Sequence, residues 1–114
     1  MLKDLFLKII NRELPADIVY ESADILAFRD INPQAPVHII VIPKEHIETT
    51  NDLTAAHEKI LGKLLLAATE IARLEGIAET GYRMVLNCKE HGGQTVFHIH
   101  LHLLGGRQLH WPPG

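Results

Sequence analysis

Apolar and polar residues alternate with period two through Phe97-His98-Ile99-His100-Leu101-His102-Leu103. That is the pattern of a β-strand, whose successive side chains point to opposite faces. One face would carry Phe97, Ile99, Leu101 and Leu103, and the other His98, His100 and His102, with same-face neighbours roughly 6.6 Å apart. Ile18 to Glu21 and Ile25 to Arg29 read as two short strands around a Ser22-Ala23-Asp24 hairpin turn. Val37 to Ile42 lies between Pro36 and Pro43, and its run Ile39-Ile40-Val41-Ile42 is apolar on both faces, as a central strand would be. Tyr82 to Asn87, after Gly81, is a further strand. Helical spacing appears twice. Leu5, Phe6, Ile9 and Ile10 predict a short helix from Asp4 to Asn11, with Asp4 as N-cap and Pro15 ending the segment. Asp52 or Thr54 is expected to cap a long helix that runs to about Glu75 and stops at Gly76. Its inward stripe is Ile60, Leu61, Leu64, Ala68, Ile71 and Ala72. Leu65, Leu66 and Ala67 widen the apolar surface and predict a second contact, either more sheet or another subunit.

The connecting stretches carry polar residues whose role the pattern leaves open. Asp30-Ile31-Asn32-Pro33-Gln34-Ala35-Pro36 is a loop, in which Asp30 reads as a solvated carboxylate or as an acceptor for a sugar hydroxyl. His38, alone at the start of an apolar strand, reads as structural, and Lys44-Glu45-His46 as solvated surface. Lys89-Glu90-His91-Gly92-Gly93-Gln94 is either a hairpin turn or a nest of backbone N–H groups for an anion. Gly105-Gly106 ends the last strand, and Gln108 to Gly114 form a tail with Trp111 and Pro112-Pro113.

Composition narrows the classes. The 114 residues, 46% hydrophobic, suffice for one domain with one core. A formal net charge of −3 gives no global basic field, so no nucleic-acid partner is expected. The single cysteine, Cys88, excludes an intrachain disulfide and a CxxC metal clip, and reads as packing. No apolar run is long enough to span a bilayer, and Met1-Leu2-Lys3-Asp4 lacks a signal-peptide profile. A soluble cytoplasmic protein without membrane partners is the expectation.

Chemistry concentrates on the histidines. Three imidazoles in register opposite an apolar face suit a working surface better than a core, because buried imidazoles need polar partners. Imidazole can be a nucleophile, a general acid or base, or a metal ligand. No GxSxG elbow, Walker A sequence or GxGxxG is present. A metal is the rival reading: His-x-His on a strand can supply two zinc ligands, with His102 or His38 as a third. Against it, no carboxylate is evident beside the row, and the Gly-Gly loop suits phosphate better.

His98-Ile99-His100-Leu101-His102-Leu103-Leu104 resembles the signature of the histidine triad (HIT) family, His-φ-His-φ-His-φ-φ, at every position. Phe6-Leu7-Lys8-Ile9-Ile10, Leu26-Ala27-Phe28-Arg29-Asp30-Ile31, Pro36-Val37-His38, Val41-Ile42-Pro43-Lys44-Glu45-His46-Ile47, Gly92-Gly93-Gln94 and the ending Leu104 to Gly114 resemble its Hint branch, the histidine triad nucleotide-binding proteins. The resemblance implies an α+β fold: a five-stranded antiparallel sheet with one long and one short helix per subunit, joined into a homodimer. The whole chain, 1–114, would be a single HIT domain, with the tail 107–114 reaching the partner. The resemblance also implies hydrolysis of purine nucleoside phosphoramidates to a nucleoside monophosphate and an amine, and in some members of aminoacyl adenylates. His100 matches the nucleophile that forms a covalent nucleotidyl-imidazole. His102 matches a phosphate-binding histidine, His98 the residue whose carbonyl orients the His100 ring, and His38 a supporting fourth histidine. Asp30 matches the ribose-hydroxyl acceptor, and Phe6, Ile9, Phe28 and Ile31 the purine pocket. Asn87, Gly93, Thr95 and Val96 belong to the nucleotide site, Thr95 with a catalytic part on the leaving-group side, and Trp111 to the partner subunit's pocket. No cofactor is implied, and no residue is assigned to a metal. The Cys-x-x-Cys that helps bind structural zinc in some triad proteins is replaced by Asp4 and Leu7. His102 stands where the nucleotidyltransferase branch has Gln, which favours hydrolysis. A non-enzymatic purine-nucleotide-binding adaptor and a His-ligated metal hydrolase are the alternatives.

Overall fold

The computed structural model describes residues 4–114. Met1 to Lys3, on which the reading of the chain's start rests, lie outside them. Five strands form one antiparallel sheet in the order β1-β2-β3-β5-β4. They are β1 (Ile18–Glu21), β2 (Ile25–Arg29), β3 (Val37–Pro43), β4 (Tyr82–Leu86) and β5 (Leu101–Gly105). With helices α1 (Leu5–Ile10), α2 (Glu58–Leu74) and α3 (Lys89–Gly92), this is an α+β architecture. The apolar run in β3 is central, as expected, pairing with β2 on one side and β5 on the other.

The period-two alternation separates two layers. Ile25, Ala27, Ile39, Val41, Leu101 and Leu103 face α2 and pack against its Leu64, Ala67, Ala68, Ile71 and Ala72. Ala67 thus belongs to the inner stripe, whereas Leu65 and Leu66 are exposed. The opposite face carries Leu26, Phe28, Ile40 and Ile42, covered by Phe6 and Ile9 of α1. At six residues, α1 is too short to cover that face. The remainder of that face, over the β3–β5 pair, is where His38 and His102 lie.

Local chemistry explains where the elements depart from the hydrophobic pattern. The long helix starts later than Asp52 or Thr54. Thr49 and Thr54 are both extended, and each caps its own 3-10 turn, Thr50–Asp52 and Ala55–His57. The Asp52 side chain folds back to accept the Thr49 N–H, so it closes a turn instead of opening the helix. Gly76, with φ +76, ends α2 as expected. Asp4 stands at the N-cap of α1, but its side chain makes no capping hydrogen bond. The Lys89–Gln94 stretch is neither a plain hairpin turn nor part of a two-helix pattern, because Lys89–Gly92 is a third short helix. Gln94 holds it closed: its side-chain oxygen accepts the Lys89 N–H, and Gly93 reverses the chain with φ +86.

Candidate active site

The largest departure from the pattern is at the histidines. The alternation predicts a strand from Phe97, but β5 begins at Leu101, the partner of Val41. The ladder stops because β3 ends at Pro43, which has no N–H to donate. Side chains and a single backbone bond replace it. His98 donates Nε2–H to the Pro43 carbonyl at 2.7 Å, and the Ile99 N–H donates to Ile47 O at 2.7 Å. His98 is therefore fully buried, with its ring against His46, Nδ1 to Nδ1 at 3.0 Å. The three imidazoles do not form one row. His98 lies beneath, while the His100 and His102 rings meet at 4.9 Å between centroids.

Register builds the rest of the cluster. His102 lies opposite Ile40 and His38 opposite Leu104, so His38 and His102 are diagonal neighbours on one face. His38 Nε2 is 2.9 Å from His102 Nδ1 and 3.4 Å from an Asp30 carboxylate oxygen. The other Asp30 oxygen accepts the Asn32 N–H, which fixes the carboxylate in an Asx turn. Asp30 thus puts beside the histidines a carboxylate that spacing alone did not reveal, and His38 is part of the cluster and not a solitary structural residue.

The hydrogen bonds assign the protons. The His100 Nδ1 lies 2.8 Å from His98 O, an acceptor, so Nδ1 carries the hydrogen and Nε2 keeps a lone pair. The Gln34 backbone N–H donates to His38 Nδ1 at 3.0 Å, so neutral His38 carries its hydrogen on Nε2 and donates to His102 Nδ1. His102 is then left with Nε2–H as a donor. Two adjacent rings thus present opposite polarities, a lone pair on His100 and an N–H on His102.

Burial keeps the cluster uncharged. Desolvation pushes His98 from the ordinary 6.5 down to about 4, against the pull of the Pro43 carbonyl. Desolvation, helped by neighbouring His100 and His38, takes His102 to about 4 as well. His38 and His100 are lowered by the same cause, and the Asp30 charge offsets part of each shift. Neutral imidazoles are the nucleophilic form.

Phe6, Ile9, Phe28 and Val96 lie together in the buried layer under α1. Phe6 meets His100 edge-on at 5.0 Å and Phe28 at 5.5 Å. Ile31, beside Asp30, is wholly exposed. Gly93 and Thr95 follow α3 and Asn87 lies just past β4; among the described residues the side chains of Asn87 and Thr95 make no hydrogen bond to the histidine cluster. Trp111 is 80% exposed, with the Arg83 guanidinium 5.9 Å from its ring and an Arg83 N–H donated to His110 O. Sequence reasoning missed His46 and Gln94. His46, read as solvated surface, is exposed yet bound to His98. Gln94 is buried and also donates to Glu48 O and Val96 O, tying the stretch before His98 to the loop after β3. The His46–His98 and Gln94–Glu48 contacts have no local signal, because their partners lie 52 and 46 residues apart.

Asp30, His38 and His102 place three ligand-type atoms within 4.8 Å of one another. The chemistry of the donor set opposes a metal there. The Gln34 N–H occupies His38 Nδ1, which leaves a hydrogen, not a lone pair, on the Nε2 facing the other two groups.

An antiparallel sheet carrying a lone-pair imidazole beside an N–H imidazole, flanked by a carboxylate and an aromatic shelf, defines a histidine-centred site without a serine or thiol nucleophile. Residues 11–109 match the HIT domain, and the chain belongs to the histidine triad family. It is 57% identical over 105 residues to the purine nucleoside phosphoramidase of Escherichia coli (strain K12), covering 92% of this chain and 88% of that protein. The fold superposes on a HIT family hydrolase from Legionella pneumophila Philadelphia 1 with a TM-score of 0.95 and 55% identity, over 96% of this chain and 98% of that one. A histidine triad nucleotide-binding protein from Candida albicans is 28% identical with a TM-score of 0.80, over 95% and 82% of the two chains.

Proposed function

We propose that this protein is a purine nucleoside phosphoramidase acting through a covalent nucleotidyl-histidine. The observation that carries the reading is the pairing of the His100 Nε2 lone pair with the His102 Nε2–H in a buried, uncharged cluster. His100 Nε2 attacks the α-phosphorus, the P–N bond breaks with its electron pair going to the nitrogen, and the amine departs with a proton taken from water. Water then attacks the phosphorus, the P–Nε2 bond breaks back onto His100, the water's proton passes to solvent and the nucleoside monophosphate leaves, so one hard step becomes two easier ones. His102 donates to a phosphoryl oxygen as charge develops, with Gly93 and Asn87 beside it. The His98 carbonyl holds the Nδ1–H of His100 and stabilises part of the positive charge on the nucleotidylated ring. Asp30 accepts from the ribose, the purine rests on Phe6, Ile9, Phe28, Ile31 and Val96, and Thr95 meets the leaving group. The E. coli relative's name and the intact histidine set support the reading.

The chain acts in this reading as one cytoplasmic domain and as a homodimer. The free edge of β4 and the exposed Leu65, Leu66 and Leu74 are consistent with a joined sheet. No helix among the described residues is long and apolar enough to cross a membrane. No metal or other cofactor takes part, so a chelator should leave the rate unchanged.

Single-turnover mixing with an adenosine 5′-phosphoramidate labelled at phosphorus tests the mechanism. A transient, acid-labile nucleotidyl-protein is expected, absent in His100→Ala, which should bind nucleotide but not turn over. Near-normal hydrolysis by His100→Ala would overturn the mechanism. Nucleotide binding with no turnover by the intact protein would instead favour an adaptor.

A further inference from the structure

His46 is outside the residues given a part in the reaction above, yet its ring begins a chain of hydrogen bonds that ends on His100. His98 Nε2 is 2.7 Å from the Pro43 carbonyl, which can only accept. The hydrogen of neutral His98 is therefore on Nε2, and its Nδ1 is an acceptor. Among the described residues the only side chain bonded to that buried nitrogen is His46, at 3.0 Å, so His46 must donate its Nδ1–H. In the intact protein His98 has no solvent exposure, so no water competes with His46 for the contact. The same residue's carbonyl accepts the His100 Nδ1–H at 2.8 Å.

We propose that His46 is a positioning residue: its Nδ1–H locks the His98 ring onto Pro43 and so fixes the carbonyl that orients the His100 ring. The inference rests on the reading of His100 as nucleophile. The sheet ladder cannot do this work, because it ends at Leu101. Among the described residues, three ties join the segment 43–47 to His98-Ile99: Pro43 O, Ile47 O and the His46 ring. Only the His46 contact selects the tautomer of His98 from the side opposite Pro43. Without it the buried Nδ1 is an acceptor with no donor, and the ring gains by turning or by moving its hydrogen. Either change costs the Pro43 bond and moves the main chain that His100 leans on. The contact is indifferent to the charge of His46, because imidazolium and the Nδ1–H tautomer both donate from Nδ1.

Two substitutions and one spectrum test this. His46→Leu keeps bulk and removes the donor; His46→Asn places an amide N–H close to the lost Nδ1–H. His46→Leu should lower kcat about tenfold, the effect of one misdirected hydrogen bond, with KM within about twofold. His46→Asn should recover most of the rate, which a merely bulky surface residue would not require. In the intact protein, nitrogen–proton NMR of the His98 ring should show one Nε2–H tautomer, and in His46→Leu a mixture. Wild-type kcat in His46→Leu, equal impairment in both variants, or a His98 hydrogen on Nδ1 in the intact protein would each overturn the inference. The spectrum also keeps the test open if His46→Leu does not fold. It is read without turnover, so a failure of the His100 mechanism, seen in His100→Ala, is told apart from a failure of this one.

Discussion

Acid should destabilise this fold before its carboxylates explain the loss, and the size of the effect follows from the cluster. His98 and His102 are held at about 4 against 6.5 in an unstructured chain. Between those values the unfolded state binds more protons, so stability must fall as pH falls. The contribution is fully present above about 6.5, declines through the window, and is gone below about 4. Going from pH 7 to pH 5 costs about 2 kcal/mol for each such histidine by the linkage relation, a large share of a typical 5–15 kcal/mol stability. Urea unfolding at pH 7 and pH 5, at fixed protein concentration, gives the total. His102→Gln isolates one histidine. Carboxylate titrations cancel in the comparison, so the variant should lose about 2 kcal/mol less than the parent over the same interval. Equal losses in the two proteins would mean that His102 titrates normally in the folded state, and the account of a dry, neutral cluster would fall.

The same displacement should appear in turnover: kcat/KM for a phosphoramidate should stay level below 6.5 and drop only toward the apparent pKa of the coupled cluster, whereas a midpoint at 6.5 would show a solvated nucleophile. Leu64→Ala empties a buried site between α2 and the sheet, and should cost 2–5 kcal/mol, roughly, in urea unfolding with little change in KM. Deleting residues 109–114 removes no strand, so thermal unfolding should hardly move; the ranking of substrates that share a nucleotide but differ in the amine should change, and an unchanged ranking would separate Trp111 from the site.

Much of this architecture was legible because it obeys local rules. β1 and β2 have the bounds their Ser22-Ala23-Asp24 turn predicts, and Ile39-Ile40-Val41-Ile42 is central because both of its faces are covered. Gly76 stops α2 where a left-handed residue was required. The errors arise where a side chain competes with the backbone pattern. Thr49 and Thr54 turn a helix start into two caps, and Gln94 turns a hairpin into a helical turn. At the site, the alternation through Phe97 and His98 is real in the sequence but has no neighbouring strand to pair with, since β3 ends at Pro43. The family motif pointed to His38 and Asp30, but their contact with His102 and with each other depends on register and on a loop bend that no local spacing encodes. His46 was missed for a related reason: its partner is 52 residues away, and nothing in Lys44-Glu45-His46 distinguishes it from a solvated run.

The early end of the β3–β5 ladder has a consequence for how this protein fails. The main chain that aims His100 is secured by a few bonds to the 43–47 stretch and not by the sheet, so it can let go while the strands stay paired. Segments held in this way open at a lower free energy than the global core. Loss of function and loss of fold are therefore separate events here. Under mild denaturant a population of intact but idle molecules should precede the unfolded one, and should recover by re-docking a short segment instead of by refolding.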